Sequence, residues 1–453
     1  MPSNIKKEEQ QLSRRRFLVS AAAAGASFLQ ACKTVQVVPR HVLGGKGYVP
    51  PSEKVQVAKV GIGGMGYHDV KNLVENCADR CDVVALCDVD WGEHTVKAPE
   101  MSPKAAHYTD FRKMLDEMDS SIDAVCVSTP DHTHTPISLE AIRRGKHVYC
   151  QKPLTHNIEE CRILKRAARK YGVATQMGNQ GHSEEGIRLI EEWISHYNAI
   201  GEVREAVVWT DRWQHSFMKR PPAGLECPDT LNWDLWLGPA PERPYHTDYM
   251  YGSWRAWWDF GCGALGDIGC HTLDAAVQVF KLGYPEAIDV DQGSSFSETC
   301  PQWTVITYHF PERCVDGINY PPFKLTWYDG WRISGMEWDK EISGFKMLPD
   351  RIQNKPPLPP MLEEGRTLAD NGQIFIGSEG GLMAGMYADS PRVFPETRMR
   401  EFMKEVKPEP ILPRSIGHYK EWLEACKGNG VPGSNFDYAT ELTKDQFSTL
   451  QNT

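Results

Sequence analysis

Between Val55 and about Thr175 the chain alternates short apolar runs with amphipathic stretches. The apolar runs are Val55–Ile62, Val83–Asp88, Ala124–Ser128, His147–Cys150 and Ala174–Met177, rich in β-branched residues and bounded by polar turns, which marks buried strands. Between them, Phe111–Met118, Pro136–Arg144 and Ile158–Tyr171 carry the helical period. Strand and helix in strict alternation predict a doubly wound α/β domain with a parallel sheet. Such sheets bind ligands off the carboxyl ends of their strands. Chemistry is therefore sought in the residues that follow each strand: Gly61–Gly66, Asp88, Thr129–His134, Gln151-Lys152-Pro153 and Gln176–His182.

Beyond residue 183 the texture changes. A helix at Glu184–Tyr197 leads to a strand at Val203–Asp211, and further strand patterns lie at Ala287–Val290, Trp303–Phe310, Lys324–Trp327 and Gln373–Ile376. Long Pro- and Gly-rich connections, such as 220–245 and 350–372, separate them. This half reads as an α+β domain with an open, largely antiparallel sheet.

The glycines after the first strand have a definite chemistry. Gly61, Gly63 and Gly66 fit G-x-G-x-x-G between an apolar strand and a helix-like run, with Gly64 and Met65 inside the turn. The first glycine makes the turn, the second admits a pyrophosphate, and the third lets helix and strand pack. Asp88 ends the second strand, where an acid hydrogen-bonds the adenosine ribose, and Asp90 is an alternative. An acid there repels a 2′-phosphate, so NAD is expected over NADP.

With 453 residues, two domains are expected, and the 24% of charged residues carry a net charge of −10 with no basic stripe outside the N-terminus, which excludes a nucleic-acid surface. The 14 tryptophans suit a sugar cleft, although cores and interfaces also use tryptophan. Residues 1–32 read as a targeting segment: Ser13-Arg14-Arg15-Arg16-Phe17-Leu18 has the paired arginines of a twin-arginine signal, followed by a short alanine-rich apolar run to Leu29. That run is too short to span a bilayer as a mature helix. Leu29-Gln30-Ala31-Cys32 resembles a lipobox, with Cys32 as the lipidated residue; an uncleaved anchor or plain cleavage near Ala31 are the alternatives. Residues 33–53 are then a tether. The expectation is export to the periplasm with a lipid anchor at Cys32 as the one membrane contact. An exported protein that uses a dinucleotide has no free pool of it to draw on, so the cofactor must stay bound and be restored within each cycle. The cysteines after Cys32 are irregularly spaced; an oxidising compartment permits disulfides but spacing does not pair them, and Cys87, Cys126 and Cys150 in strand runs read as small buried hydrophobes.

Two further places hold candidate chemistry. In Gly261–Asp274, Asp267 and His271 are four apart, so on a helix they share one face, as a carboxylate beside an imidazole base. The alternative is a helix cap and a satisfied buried histidine. Cys262, Asp267, Cys270 and His271 lack a recognisable metal-ligand spacing, and no metal is expected. Lys152, just past a strand, is placed to stabilise negative charge on a substrate oxygen, or is an ordinary loop lysine.

Together, Gly61–Gly66, the loop Tyr149-Cys150-Gln151-Lys152-Pro153 and Gly263–Asp274 resemble the Gfo/Idh/MocA family (glucose–fructose oxidoreductase, inositol dehydrogenase, rhizopine catabolism). Gln176-Met177-Gly178-Asn179-Gln180-Gly181-His182 further resembles an exported bacterial subgroup. The resemblance runs from about Val55 to about Tyr438. It implies a Rossmann domain over 54–177 and a substrate and oligomerisation domain over 178–453. It implies Lys152, Asp267 and His271 as the catalytic group. It also implies cofactor contacts from Gly61, Gly63, Gly64, Met65, Gly66, Asp88, Thr129, His134, Gln151, Lys152, Pro153 and Gln180, and a homo-oligomer formed through the open sheet. Gln151 stands where the family usually has glutamate, so a charge is missing beside the lysine. After Asn435–Ala439, where relatives continue through several dozen residues, a polar tail over Glu441–Thr453 is expected. The implied activity is NAD-dependent oxidation of a secondary alcohol of a sugar or glycoside. The alternatives are redox-neutral glycoside cleavage (oxidation, elimination, hydration, reduction) and a non-catalytic sugar-binding lipoprotein.

Overall fold

The protein is described by a computed structural model covering residues 53–212, 218–333, 336–339, 344–347 and 351–447. The expected export signal, the expected lipobox at Cys32 and nearly all of the expected tether lie outside the described residues. The first domain runs β1 (Val55–Val60), α1 (Met65–Asn76), β2 (Cys81–Cys87), β3 (Ala106–Tyr108), α2 (Phe111–Glu117), β4 (Ala124–Val127), α3 (Asp131–Arg143), β5 (His147–Cys150), α4 (Ile158–Tyr171) and β6 (Thr175–Met177). The strands form one parallel sheet in the order β3-β2-β1-β4-β5-β6. Strand order reverses at β1 and β4, which opens a crevice at their carboxyl ends. Helices cover both faces, so Val57, Ala58, Val60, Val125, Val127 and Val148 are all buried whichever face they point to. That is why these strands read as apolar runs rather than as alternation.

Two elements differ from the sequence reading. β3 was not expected: it is a three-residue strand at the sheet edge, only partly buried, and too short to show a period. α3 starts at Asp131 rather than Pro136: Asp131 to Thr135 already belong to the helix, and Pro136 sits inside it, past the first turn, where it forgoes one i→i−4 hydrogen bond.

The second domain is a mixed sheet. Its order is Arg392–Phe394, Gly381–Ala384, Gly372–Gly377, β7 (Val203–Trp209), Phe323–Ile333, Trp303–Phe310 and Ala287–Gln292, with Arg351–Gln353 pairing the Phe323–Ile333 strand. All neighbours are antiparallel except β7 with Phe323–Ile333. One face buries Ala206, Val208, Tyr308, Phe310, Leu325, Trp327 and Phe375 in the same core as Val277 and Phe280 of the helix Asp274–Phe280. Cys87, Cys126 and Cys150 are buried as expected, and the cysteines among the described residues are free thiols.

The chain then returns to the first domain. Helix His418–Cys426 places Tyr419, Trp422 and Leu423 in a cluster with Val55, Val57, Leu73, Ala124, Cys126 and Tyr149. The Met177 N–H donates to the Ser434 carbonyl at 2.8 Å, and the Phe436 N–H to Thr175 Oγ1 at 3.0 Å. The expected polar tail is, up to Phe447, part of a helix (Phe436–Phe447) that buries Phe436, Ala439 and Leu442. Glu441 pairs with Lys165 of α4 at 2.5 Å. Three small or isolated apolar positions among charges did not announce an amphipathic face.

Candidate active site

A cavity of about 780 Å³ opens at the carboxyl ends of β1, β2, β4 and β5. Gly61, Gly63, Gly64, Met65, Asp88, Thr129, Gln151 and Lys152 line it, so the structure brings most of the expected cofactor residues to one groove. Gly61 has φ +79°, and a side chain there would strike the Ser128 carbonyl at 2.5 Å, so the turn between β1 and α1 admits only glycine. α1 starts at Met65 without a side-chain cap, so its N-terminal end faces the groove with no side chain of its own upon it, although the Gly66 N–H donates to the Gly63 carbonyl at 2.8 Å. The Asp88 carboxylate accepts from the Ile62 N–H at 2.8 Å and the Asp90 N–H at 3.0 Å, and burial pushes its pKa above the ordinary carboxylate range. Asp90 also lines the cavity but braces its own turn, accepting from the Gly92 N–H at 2.9 Å and lying 3.4 Å from His94 Nε2. A glycine turn, an uncapped helix start and an oriented acid fit the pyrophosphate and ribose of a dinucleotide.

The second domain roofs this groove. Leu231 bridges to Asp90, the Trp91 N–H donates to the Thr230 carbonyl at 3.0 Å, and the Asn232 N–H donates to the Val89 carbonyl at 2.8 Å. Asp234, Trp236, Gly238, Tyr251 and Trp254 thereby complete the cavity wall. Trp236 also belongs, with Trp233, Tyr249, Trp257 and Phe260, to one aromatic cluster, in which Trp233 and Trp236 stack at 4.7 Å. Four of the 14 tryptophans, Trp233, Trp236, Trp254 and Trp257, therefore pack in this roof.

Lys152 and Arg255 line the cavity, whereas Asp267 and His271 lie outside its lining. Lys152 Nζ lies 2.5 Å from Asp267 Oδ1 and donates to the Asp267 carbonyl at 2.9 Å; Arg255 Nε lies 3.2 Å from the same carboxylate oxygen. Asp267 sits on a π-helical turn (Leu265–Gly269) that runs into Cys270–Thr272, so Asp267 and His271 stay on nearly one face. The Asp267 carboxylate faces the two cations. His271 is buried, and its Nδ1 finds no partner among the described residues. Burial first, then the Lys152 cation, lowers its pKa well below the usual imidazole value, so the ring is neutral and free to accept a proton. Asp131, at the start of α3, lines the cavity next to this group and accepts from the Cys262 N–H at 3.2 Å. Burial raises its pKa to about 7, opposed by Arg255 and Lys152 and reinforced by Asp267.

Gln151 connects the lysine loop to a buried charge. Its amide donates to Asp69 Oδ1 at 2.9 Å and Oδ2 at 3.2 Å, and Tyr419 donates its phenol proton to Oδ1 at 2.6 Å. Lys59, fully buried on β1, lies 3.5 Å from Asp69, with Ser128 hydrogen-bonded to both. The α1 carboxylate of Asp69 thus stands against the Gln151 amide, while the carboxylate beside the Lys152 ammonium is Asp267.

Four expected cofactor residues lie outside the cavity lining. Gly66 packs α1 against the Gly61 carbonyl. His134 is buried one turn into α3, its ring nitrogens 2.8 Å from the Pro153 carbonyl and 2.9 Å from the Thr129 carbonyl, so it fastens two cavity loops from behind. Pro153 turns away toward Gly266. Gln180 donates to the phenol of Tyr149 at 3.1 Å, beside Tyr419, on the far side of the Asp69 network. Its strand, β6, ends at the sheet edge, away from the crevice. Asp131, Arg255, Trp254 and Asp69 were missed. Asp131 lay in a stretch already flagged for following a strand, whereas nothing local marks the other three. Among the described residues no cluster of His, Cys, Asp and Glu is arranged for a metal, and no helix is long and apolar enough to cross a membrane.

Comparison with known proteins agrees with this geometry. Residues 55–179 match the family model GFO_IDH_MocA, "Oxidoreductase family, NAD-binding Rossmann fold", and residues 205–319 match its "C-terminal alpha/beta domain", together more than half of the chain. An α-N-acetylgalactosaminidase of Shewanella oneidensis is 28% identical over 225 residues, 45% of this chain and 47% of that protein. A glycosyl hydrolase family 109 protein of a Shewanella species is 26% identical over 269 residues, 54% of this chain and 50% of that protein. The chain thus spans about half the length of these relatives. In fold it is similar to the WlbA dehydrogenase of Bordetella pertussis, solved with NADH and UDP-GlcNAcA (TM-score 0.56, 15% identity, 88% of this chain and 97% of that one). It is likewise similar to levoglucosan dehydrogenase with NADH and levoglucosan (TM-score 0.55, 16% identity, 88% and 96%).

Proposed function

The chain belongs to the Gfo/Idh/MocA family of NAD-binding oxidoreductases, and from that premise we propose that it works on a secondary alcohol of a sugar or glycoside with NAD held through turnover. The observation that carries this reading is the Lys152–Asp267–Arg255 cluster, whose two cations line the cavity, with a neutral His271 on the same helical face as Asp267. When bound, the nicotinamide supplies a hydride acceptor. Lys152 polarises the reacting oxygen, Asp267 holds the lysine in place, and His271 takes the hydroxyl proton. The roof over the groove, hydrogen-bonded to the strand end that holds the ribose acid, supports a cofactor that does not leave between turnovers.

A second reading, redox-neutral glycoside cleavage, gains from the relatives named as glycosidases. A transient ketone acidifies the neighbouring C–H, the aglycone is eliminated, water adds and the ketone is reduced again, without a pair of carboxylates acting on the glycosidic bond. Asp131, with its pKa near neutrality, is a proton carrier suited to the leaving oxygen. Retention of NAD through turnover fits this cycle. The test is a mass spectrum of the cofactor that co-purifies, followed by a panel of sugars and aryl glycosides. Aglycone release with no net NADH selects cleavage, and NADH formation at 340 nm selects oxidation. A protein that binds no dinucleotide and turns over neither class overturns both.

Twin-arginine export, a lipid anchor at Cys32 and a homo-oligomer through the open sheet remain part of the proposal. The supports are Arg14-Arg15, the apolar run before Cys32 and the family resemblance. Release of Cys32→Ala from membranes, with export lost on Arg14→Lys plus Arg15→Lys, checks the first two.

A further inference from the structure

The loop Gly385–Ser390 presents one aromatic side chain to the candidate base. The Tyr387 ring meets the His271 ring edge to face, centroids 4.7 Å apart. His271 is 4% exposed whereas Tyr387 is 39% exposed, so the tyrosine carries the solvent-facing surface beside a buried base. Its phenol lies within the field of Asp267 and Arg212, and burial of its polar end raises its pKa, so it remains a neutral donor and acceptor at pH 7.

The loop is held in place at some conformational cost. Ala388 (φ +63°) and Ser390 (φ +50°) both occupy the left-handed region without being glycine. Such backbone persists where its surroundings over-determine it, and it gathers at functional sites. Three hydrogen bonds hold it: the Tyr387 N–H donates to Asp389 Oδ1 at 3.3 Å, the Gly385 N–H to the Asp389 carbonyl at 2.9 Å, and the Ala388 N–H to the Gly385 carbonyl at 3.1 Å. From the other side Gly181 abuts the loop, since a Cβ there would come 3.1 Å from the Tyr387 carbonyl. At Gly186 any side chain would run into the Ala388 carbonyl. The segment Gln176–His182 thus has work that cofactor contact did not explain: its Gly181 lets the loop lie flat enough to aim Tyr387 at His271.

We propose that Tyr387 is a substrate-contacting, specificity-determining residue, forming the wall beside His271 against which a pyranoside packs and offering its phenol to a sugar hydroxyl. The ligand class follows from the side chain: an aromatic face receives the C–H face of a sugar ring while the hydroxyl at its rim takes a polar partner. The inference rests on the reading that His271 acts on a sugar, and the experiment separates the two.

Tyr387→Ala and Tyr387→Phe are compared with the native chain in two measurements. The first is the rate at which diethyl pyrocarbonate labels His271, followed by peptide mass. The second is KM and kcat on 4-nitrophenyl hexosides and N-acetylhexosaminides, with NAD affinity and thermal midpoint as controls. Tyr387→Ala exposes His271 and speeds its labelling. It raises KM roughly ten-fold, the scale of a lost aromatic contact, and leaves NAD affinity unchanged. Tyr387→Phe keeps slow labelling and loses about five-fold in KM with the hydroxyl. Unchanged labelling in Tyr387→Ala overturns the proposal. So does a native KM in that variant on a glycoside that His271→Ala fails to turn over, an outcome that leaves the function reading standing. If the native chain turns over none of the panel, the sugar reading falls, and the sugar contact with it.

Discussion

The Gln151 side-chain amide donates to both oxygens of the Asp69 carboxylate, at 2.9 and 3.2 Å, in a site where Asp69 is fully buried. A glutamate at residue 151 would set two carboxylates face to face, with one lysine, Lys59, to share. The amide is therefore what this α1 requires. Gln151→Glu should lose about 2–4 kcal/mol of stability, and Asp69→Asn should lose a similar amount by leaving Lys59 buried and unpaired. The double variant restores one carboxylate to the group and should recover much of the loss. Denaturant midpoints of the four proteins check it, and additive losses in the double variant would refute the pairing.

Asp131 carries a pH dependence whose sign can be worked out. Its pKa is about 7 in the folded protein against roughly 3.9 for an unperturbed aspartate. Between these values the folded state binds the extra proton. The group's contribution to stability is thus fullest below pH about 4 and is lost as pH rises through about 7. Asp131→Asn should flatten that part of the stability curve. It should also remove a limb near pH 7 from the rate profile if the carboxyl carries a proton in turnover. Identical pH profiles with and without the carboxyl would remove Asp131 from the chemistry.

Cofactor choice turns on Asp88. Replacement by Ser deletes a charged acceptor at the end of β2 and should weaken NAD binding by about 1.5–3 kcal/mol while relatively improving NADP. Calorimetric titration of both dinucleotides measures this directly. An unaltered NAD affinity would pass the role to Asp90.

Lys152→Ala and His271→Ala should each lower turnover roughly 100-fold or more with cofactor binding retained. Lys152→Ala has a second expected effect. It takes the ammonium from Asp267, which keeps Arg255 at 3.2 Å, and removes a cation that depresses the His271 pKa, so the acid limb of the rate profile should move to higher pH. Titrating His271 by NMR in that variant reports the same shift without a substrate.

The first domain was legible because its strands are buried on both faces and its turn glycines are irreplaceable. Val57–Gly66 read directly into β1, the turn and α1. The second sheet was legible strand by strand, Trp303–Phe310 to the residue, but not in its order, since β7 reaches its parallel partner only after more than a hundred residues. β3 was too short to carry a period. In the site, residues on strand ends were found and residues delivered by remote loops were not: Trp254, Arg255 and Tyr387 approach the cavity or His271 from segments whose local pattern is that of any aromatic loop. Asp69 was hidden for a different reason. A carboxylate within the polar-looking face of α1 reads as solvated until the buried Lys59 opposite it is seen.

The return of residues 418–447 to the first domain has a consequence for synthesis. The strands of the nucleotide half leave the ribosome early, yet Val55, Val57, Leu73 and Ala124 get their last cover from Tyr419, Trp422 and Leu423. The edge strand β6 likewise waits for Ser434 and Phe436. A nascent chain that ends before His418 must therefore keep an apolar flank and an open strand edge wet for most of translation, which is the condition that invites chaperone capture or aggregation. The half of the molecule made first is the last to be finished.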